Sequence, residues 1–182
     1  MSISKFIPVA IATALLAAVW VAVGSSHSWV LWVPFLSWAL VFGAGAGKLS
    51  RVPKEIIGLT GGTIAAVVLL LLLPAFTSVL GGFLALPALV FLAAFIIVML
   101  ELTDLFELAP AYFYSFAGFF AYLFGGFAGA KEITFSAVMM FWILLLAGTG
   151  LGVATVLMRG FIFDLLKVPK DQRKTVFDKE SK

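Results

Sequence analysis

Long apolar runs, separated by short polar or glycine and proline breaks, set the plan of this chain. Six can be marked: Phe6 to Val23, Trp29 to Ala46, Ile56 to Phe76, Leu80 to Leu100, Phe106 to Ala128, and Thr134 to Met158. Each is near the ~20 residues that an α-helix needs to cross a bilayer. The alternation of a transmembrane barrel strand is absent, and in lipid only helices satisfy their backbones over such runs. The stretch from Ile56 to Leu100 is almost unbroken and too long for one crossing, so a turn is expected at Pro74 and the Gly81-Gly82 pair. The pattern predicts an all-α, polytopic membrane protein with six transmembrane helices.

Composition agrees and narrows the chemistry. Of 182 residues, 63% are hydrophobic and only 12% are charged, with a mean hydropathy of +1.18. With no cysteine, thiolate sites and disulfides are excluded, and the single His27 excludes a multi-histidine metal site. Lys5 ahead of the first run imitates a signal peptide, but no small-residue cleavage site follows, so a retained first span is expected. Six spans put Lys5, Lys48, Arg51, Lys54, Arg159, Lys167, Lys170, Arg173, Lys174, Lys179 and Lys182 on one side and Lys131 on the other. That asymmetry predicts cytoplasmic N- and C-termini in a bacterial inner membrane. Beyond span 6, Phe161, Ile162, Leu165 and Leu166 suggest a short interfacial helix before Pro169, followed by a charged tail.

Two stretches rhyme. Lys54-Glu55-Ile56 opens one run and Lys131-Glu132-Ile133 another, 77 residues on, and upstream of them stand Pro34 and Pro110. Three spans per copy would invert the second copy relative to the first, an architecture frequent in transporters and channels. The expected division is residues 1–82 and 83–158 as two three-helix repeats, with 159–182 as interfacial helix and tail. Ser25 to Val33 and Glu101 to Ala109, ahead of the two prolines, are poor mid-membrane helix. Helices 2 and 5 are therefore expected to be broken or proline-led, their N-termini aimed inward from opposite faces. Ordinary kinks are the plainer alternative.

Aromatic and hydroxyl residues follow both prolines. The expected solute path is lined by Pro34, Ser37, Trp38 and Phe42 on span 2, and by Pro110, Tyr112, Tyr114, Ser115, Phe116 and Phe120 on span 5. Trp38 and Phe42 share a helix face, as do Phe116 and Phe120, and facing stripes form a narrow constriction. Packed or lipid-facing aromatics are the competing reading. Glu101, Asp104 and Glu107 in the 4–5 loop form either a cytoplasmic vestibule attracting cations or salt bridges with Lys48, Arg51 or Lys54. Gly43/Gly47, Gly58/Gly62, Gly125/Gly129 and Gly148/Gly152 have small-xxx-small spacing for close helix packing. His27 is a lone loop histidine. No charge falls mid-span, and no nucleophile–base pair, phosphate loop or metal-ligand cluster is present. The expectation is neither an enzyme nor a protein with a cofactor or metal.

The first span, Ile11-Ala12-Thr13-Ala14-Leu15-Leu16-Ala17-Ala18-Val19-Trp20, and the run Pro110-Ala111-Tyr112-Phe113-Tyr114-Ser115-Phe116-Ala117-Gly118-Phe119-Phe120 resemble the YcdZ-like family of uncharacterised bacterial inner-membrane proteins, a domain of unknown function. The resemblance covers most of the chain but not its charged tail. It implies a small multi-span protein and carries no substrate or catalytic residue with it.

A path lined by aromatics and hydroxyls, without intramembrane charge, suits a passive channel or facilitator for a small, mostly uncharged solute such as urea or a short amide. The expected partners are the lipid bilayer, that small-molecule solute and further copies of the chain in a homo-oligomer, with no nucleic acid. The alternatives are a non-transporting scaffold or accessory subunit, and an ion-coupled carrier.

Overall fold

The computed structural model describes residues 3–45, 47–129 and 131–173. Within them the chain is helical and without strands, in the order α1 (Ile3–Ser26), α2 (Trp32–Phe42), α3 (Val52–Leu80), α4 (Gly82–Met99), α5 (Ala109–Phe124) and α6 (Phe135–Leu165). Four stretches are long and apolar enough to cross a membrane: Phe6–Ser26, Leu49–Leu80, Gly82–Leu102 and Phe135–Leu165. They fit a multi-pass membrane protein. Phe83 and Phe135, 88% and 82% exposed, face outward where an aqueous protein would bury them.

The other two helices are shorter. At 1.5 Å per residue, α2 spans only about 17 Å and α5 about 24 Å, against ~30 Å of hydrocarbon. Pro34 is the third residue of α2 and Pro110 the second of α5, so both prolines sit in a first turn, where a missing N–H breaks no hydrogen bond. The proline-led starts expected for these helices are where the sequence put them.

The middle of the molecule is built from α2, α3, α5 and α6. Val33, Leu40, Leu59, Ala66, Phe119, Leu123, Phe141 and Leu145 form its core. α3 packs chiefly on α5, and α2 on α6. α1 lies outside against α6, and α4 outside against α3.

Two sequence expectations change. Of the positions expected to turn the chain between spans 3 and 4, Gly81 (φ +79°, ψ 160°) does so, whereas Pro74 lies within α3. Proline within a membrane helix is tolerated where neighbouring helices and local adjustment re-satisfy the freed carbonyls. The separate interfacial helix after residue 158 is instead the end of α6, which continues to Leu165 because no glycine or proline break intervenes strongly enough. The chain turns only at Lys167 (φ +50°), and Val168 folds back to pack with Phe163 and Val9. Lys174, Lys179 and Lys182 of the expected tail lie outside the described residues.

The two Lys-Glu tripeptides have different local settings. Lys54 and Glu55 belong to the first turn of α3, with Glu55 fully buried. Lys131 and Glu132 are exposed in the irregular segment before α6. The helix there begins later, because Thr134 supplies the N-cap, its hydroxyl accepting from the Ala137 N–H at 3.2 Å.

Candidate functional site

Two helix crossings have the same construction. Ser37 of α2 and Ser115 of α5 are fully buried. Each lies under a glycine of the neighbouring long helix. A Cβ on Gly148 would overlap the Pro34 carbonyl oxygen and Ser37 Oγ; one on Gly62 would overlap the Tyr112 carbonyl oxygen and Ser115 Oγ. The backbones therefore touch, as small-residue packing in membranes allows. Ser37 Oγ donates to the Leu145 carbonyl at 2.7 Å, across the crossing. Ser115 Oγ donates back to the Ala111 carbonyl at 3.1 Å and reaches Gly58 O only at 3.5 Å. Gly58 and Gly152 repeat the close approach one turn along, against Ala111 and Val41. These glycines work inside the protomer. Gly43, Gly47, Gly125 and Gly129 fall outside the helices, so their spacing packs nothing.

Between α2 and α5 runs an open groove of about 460 Å³ lined by Trp32, Leu36, Phe113, Tyr114, Ala117, Gly118 and Ala121. Of the ten residues expected on a solute path, Tyr114 lines this groove. Ser37, Trp38, Pro34 and Ser115 are buried in helix packing, and Phe42, Phe116 and Phe120 are half-buried. Phe116 and Phe120 meet each other at 5.1 Å, and Trp38 stacks on Phe35 at 5.7 Å. Pro110 is exposed. Tyr112 points elsewhere, to an apolar cavity of about 450 Å³ between α3 and α4, where its hydroxyl is buried without a hydrogen-bond partner among the described residues. Span-5 register explains the division: Tyr114, Ala117 and Ala121 share one helix face, Tyr112 and Ser115 another.

The acidic loop resolves into ion pairs. Lys54 Nζ reaches Asp104 Oδ1 at 3.0 Å and Glu107 Oε1 at 2.9 Å, joining the first turn of α3 to the segment before α5. Glu101 is exposed. The salt-bridge alternative thus accounts for two of the three acids, with Lys54 as partner. His27, also exposed, bonds the Val23 carbonyl at 2.9 Å and stacks on Trp29 at 4.8 Å.

Sequence reasoning missed Glu55. Its carboxyl is fully buried and both oxygens lack a hydrogen-bond partner among the described residues. Oε1 presses on Gly45, where a Cβ would overlap it. Arg51, four residues earlier, donates from Nη1 to the Ala44 carbonyl at 2.8 Å instead of to Glu55. The signal available in the sequence was the Gly43-Ala44-Gly45-Ala46-Gly47 alternation directly ahead of an Arg-x-x-x-Glu pair. No group of histidines, cysteines and acids able to hold a metal occurs among the described residues.

No curated protein and no solved structure matches the chain. A family model does, over residues 10–163, from the first crossing to nearly the end of α6. With that match covering most of its length, the chain belongs to the family described as "Protein of unknown function (DUF1097)".

Proposed function

We propose that this chain is a YcdZ-like protein of the bacterial inner membrane that lets a small, mostly uncharged solute of the urea or short-amide kind pass between α2 and α5. In this reading six helices form two inverted three-helix repeats, with both termini cytoplasmic. Supporting the repeat, the separation of 86 residues between Gly62 and Gly148 goes with 78 between Ser115 and Ser37, and the two Ser–Gly crossings have the same neighbours in the same order. α1 against α6 and α4 against α3 are related in the same way.

The observation that carries the transport reading is the aromatic, charge-free groove of about 460 Å³ between two helices with prolines in their first turns, both shorter than the ~30 Å of hydrocarbon. Backbone that is not helical at membrane depth is tolerated where it is enclosed by protein or borders an aqueous cavity. The groove is open along one side, and further copies of the chain in a homo-oligomer would close it. The scaffold alternative would draw on the glycine pairs, of which Gly58/Gly62 and Gly148/Gly152 are engaged within the protomer.

The test is solute flux. Protein in liposomes, followed by stopped-flow light scattering, is expected to raise urea, acetamide or glycerol permeability well above that of empty vesicles. Unchanged permeability for urea, amides, glycerol and weak acids would overturn the proposal.

A further inference from the structure

The cavity between α3 and α4 takes no part in the solute path, and it holds a polar group without an answer. Tyr112 carries the one polar side chain among the described residues that line it. The residue is 4% exposed, and its hydroxyl has no hydrogen-bond partner among the described residues. A buried tyrosine O–H ordinarily finds a partner, and one left without is unfavourable. Packing does not call for the hydroxyl. Tyr112 sets its carbonyl against Gly62 as Pro34 does against Gly148, and proline has no polar side chain. Room for the ring is left by α3 itself, since a Cβ on Gly61 would overlap it.

The shape of the cavity selects the occupant. Its lining runs along α3 from Ile57 to Phe76, roughly 28 Å at 1.5 Å per residue. About 450 Å³ spread over that length is the width of a single chain. Val68, Leu72, Leu92 and Ile96 edge it and are all exposed, so it opens sideways between α3 and α4, toward lipid. The hydroxyl sits toward one end. Gly58 and Gly61, which the Tyr112 ring overlies, are only about 6 and 10 Å along α3 from Lys54. Lys54 pairs with Asp104 and Glu107, and these charges mark the water boundary at that end. A lipid's ester carbonyls lie just inside such a boundary, with the chains running inward. Around the same end stand the acids Glu101, Asp104 and Glu107 and the single cation Lys54, a rim that suits a headgroup ending in an ammonium.

We propose that the α3–α4 cavity is a binding site for one aminophospholipid of the phosphatidylethanolamine kind. One acyl chain lies along α3 and α4, its ester carbonyl accepts a hydrogen bond from the Tyr112 hydroxyl, and the ammonium meets the acids of the rim. Binding supplies the partner that the hydroxyl lacks and covers the exposed apolar edge of the cleft.

The experiment is native mass spectrometry of the purified, delipidated full chain in detergent, titrated with palmitoyl-oleoyl phosphatidylethanolamine. Saturable binding of one lipid per protomer is expected, with phosphatidylglycerol of the same chains binding more weakly. The diether analogue, which lacks the ester carbonyls, is expected to bind about fivefold more weakly, the worth of one hydrogen bond. Tyr112→Phe removes only the unpartnered hydroxyl. It should lose the same factor toward the ester lipid and bind ester and diether equally. Ala93→Phe, which fills the cleft from α4, should abolish binding. The proposal is overturned if wild type shows no saturable binding, if Tyr112→Phe leaves the affinity unchanged, or if folded Ala93→Phe still binds. A preference for phosphatidylglycerol overturns it too, as does displacement of the lipid by an equal concentration of decylubiquinone, which would make the occupant a quinone. Tyr112→Phe keeps the test decisive where Ala93→Phe does not fold. Because solute flux is not read, failure here and failure of the solute path are separate results.

Discussion

Gly148→Ala examines the crossing on which the central bundle depends. A Cβ there would stand 2.6 Å from the Pro34 carbonyl carbon, and still closer to the carbonyl oxygen and Ser37 Oγ. Carbon atoms approach favourably only to about 3.5–4.0 Å. The obstacle is backbone, which cannot rotate away, so α2 and α6 must separate by roughly 1 Å. That shift takes the Ser37–Leu145 hydrogen bond from 2.7 Å to beyond hydrogen-bonding reach. Overpacking of this kind costs about 1–3 kcal/mol, and a lost interhelical hydrogen bond in a membrane adds roughly 0.6 kcal/mol. Alanine returns up to about 1 kcal/mol of helix propensity. The expected net loss is about 1–3 kcal/mol. Gly62→Ala meets the Tyr112 backbone in the same way, its carbonyl carbon 2.8 Å off, and belongs in the same range. The control is Gly150→Ala on the same helix as Gly148, with nothing within 4 Å of its Cβ. Reversible unfolding in mixed SDS micelles measures all three. If Gly148→Ala is as stable as Gly150→Ala, the close crossing is not as described.

Gly81→Ala is expected to destabilise by about 1–3 kcal/mol, from backbone conformation alone, since its Cβ meets nothing within 4 Å; Gly82→Ala, in the next position, stays within about 0.5 kcal/mol in the same unfolding assay. Thr134→Ala removes the N-cap of α6 and should lose about 0.5–2 kcal/mol, with fraying read by hydrogen exchange at residues 135–138. Trp142→Phe deletes the 2.9 Å bond from the indole N–H to Thr60 Oγ1 and should lose about 1 kcal/mol. Glu107→Gln weakens the Lys54 bridge at an accessible site, so a small drop in melting temperature is expected that vanishes at high salt.

The helices were legible because apolar runs of bilayer length have few alternatives, and the starts of α2 and α5 because proline fits a first turn and little else in a helix. The matched Ser37 and Ser115 crossings were not legible. Each serine sits in an ordinary apolar run, and its glycine partner lies more than 50 residues away, identifiable only once α3 meets α5 and α2 meets α6. The two Lys-Glu tripeptides differ in setting for a related reason. Identical tripeptides fell on a helix in one half and on an irregular segment in the other, since Thr134 delays the start of α6. Glu55 escaped because charge was sought at the centre of spans. It stands at the edge of one, where a carboxylate ordinarily reaches water, and the approach of Gly45 to it is a tertiary event.

The solute path is tested most directly at Ala117, which lines the α2–α5 groove in a chain free of cysteine. Ala117→Cys protein in liposomes is assayed for urea permeability before and after modification with a bulky methanethiosulfonate. Passage along the groove predicts permeability above empty vesicles beforehand and a fall to their level afterwards. Permeability that is absent from the start, or that survives complete modification, contradicts it.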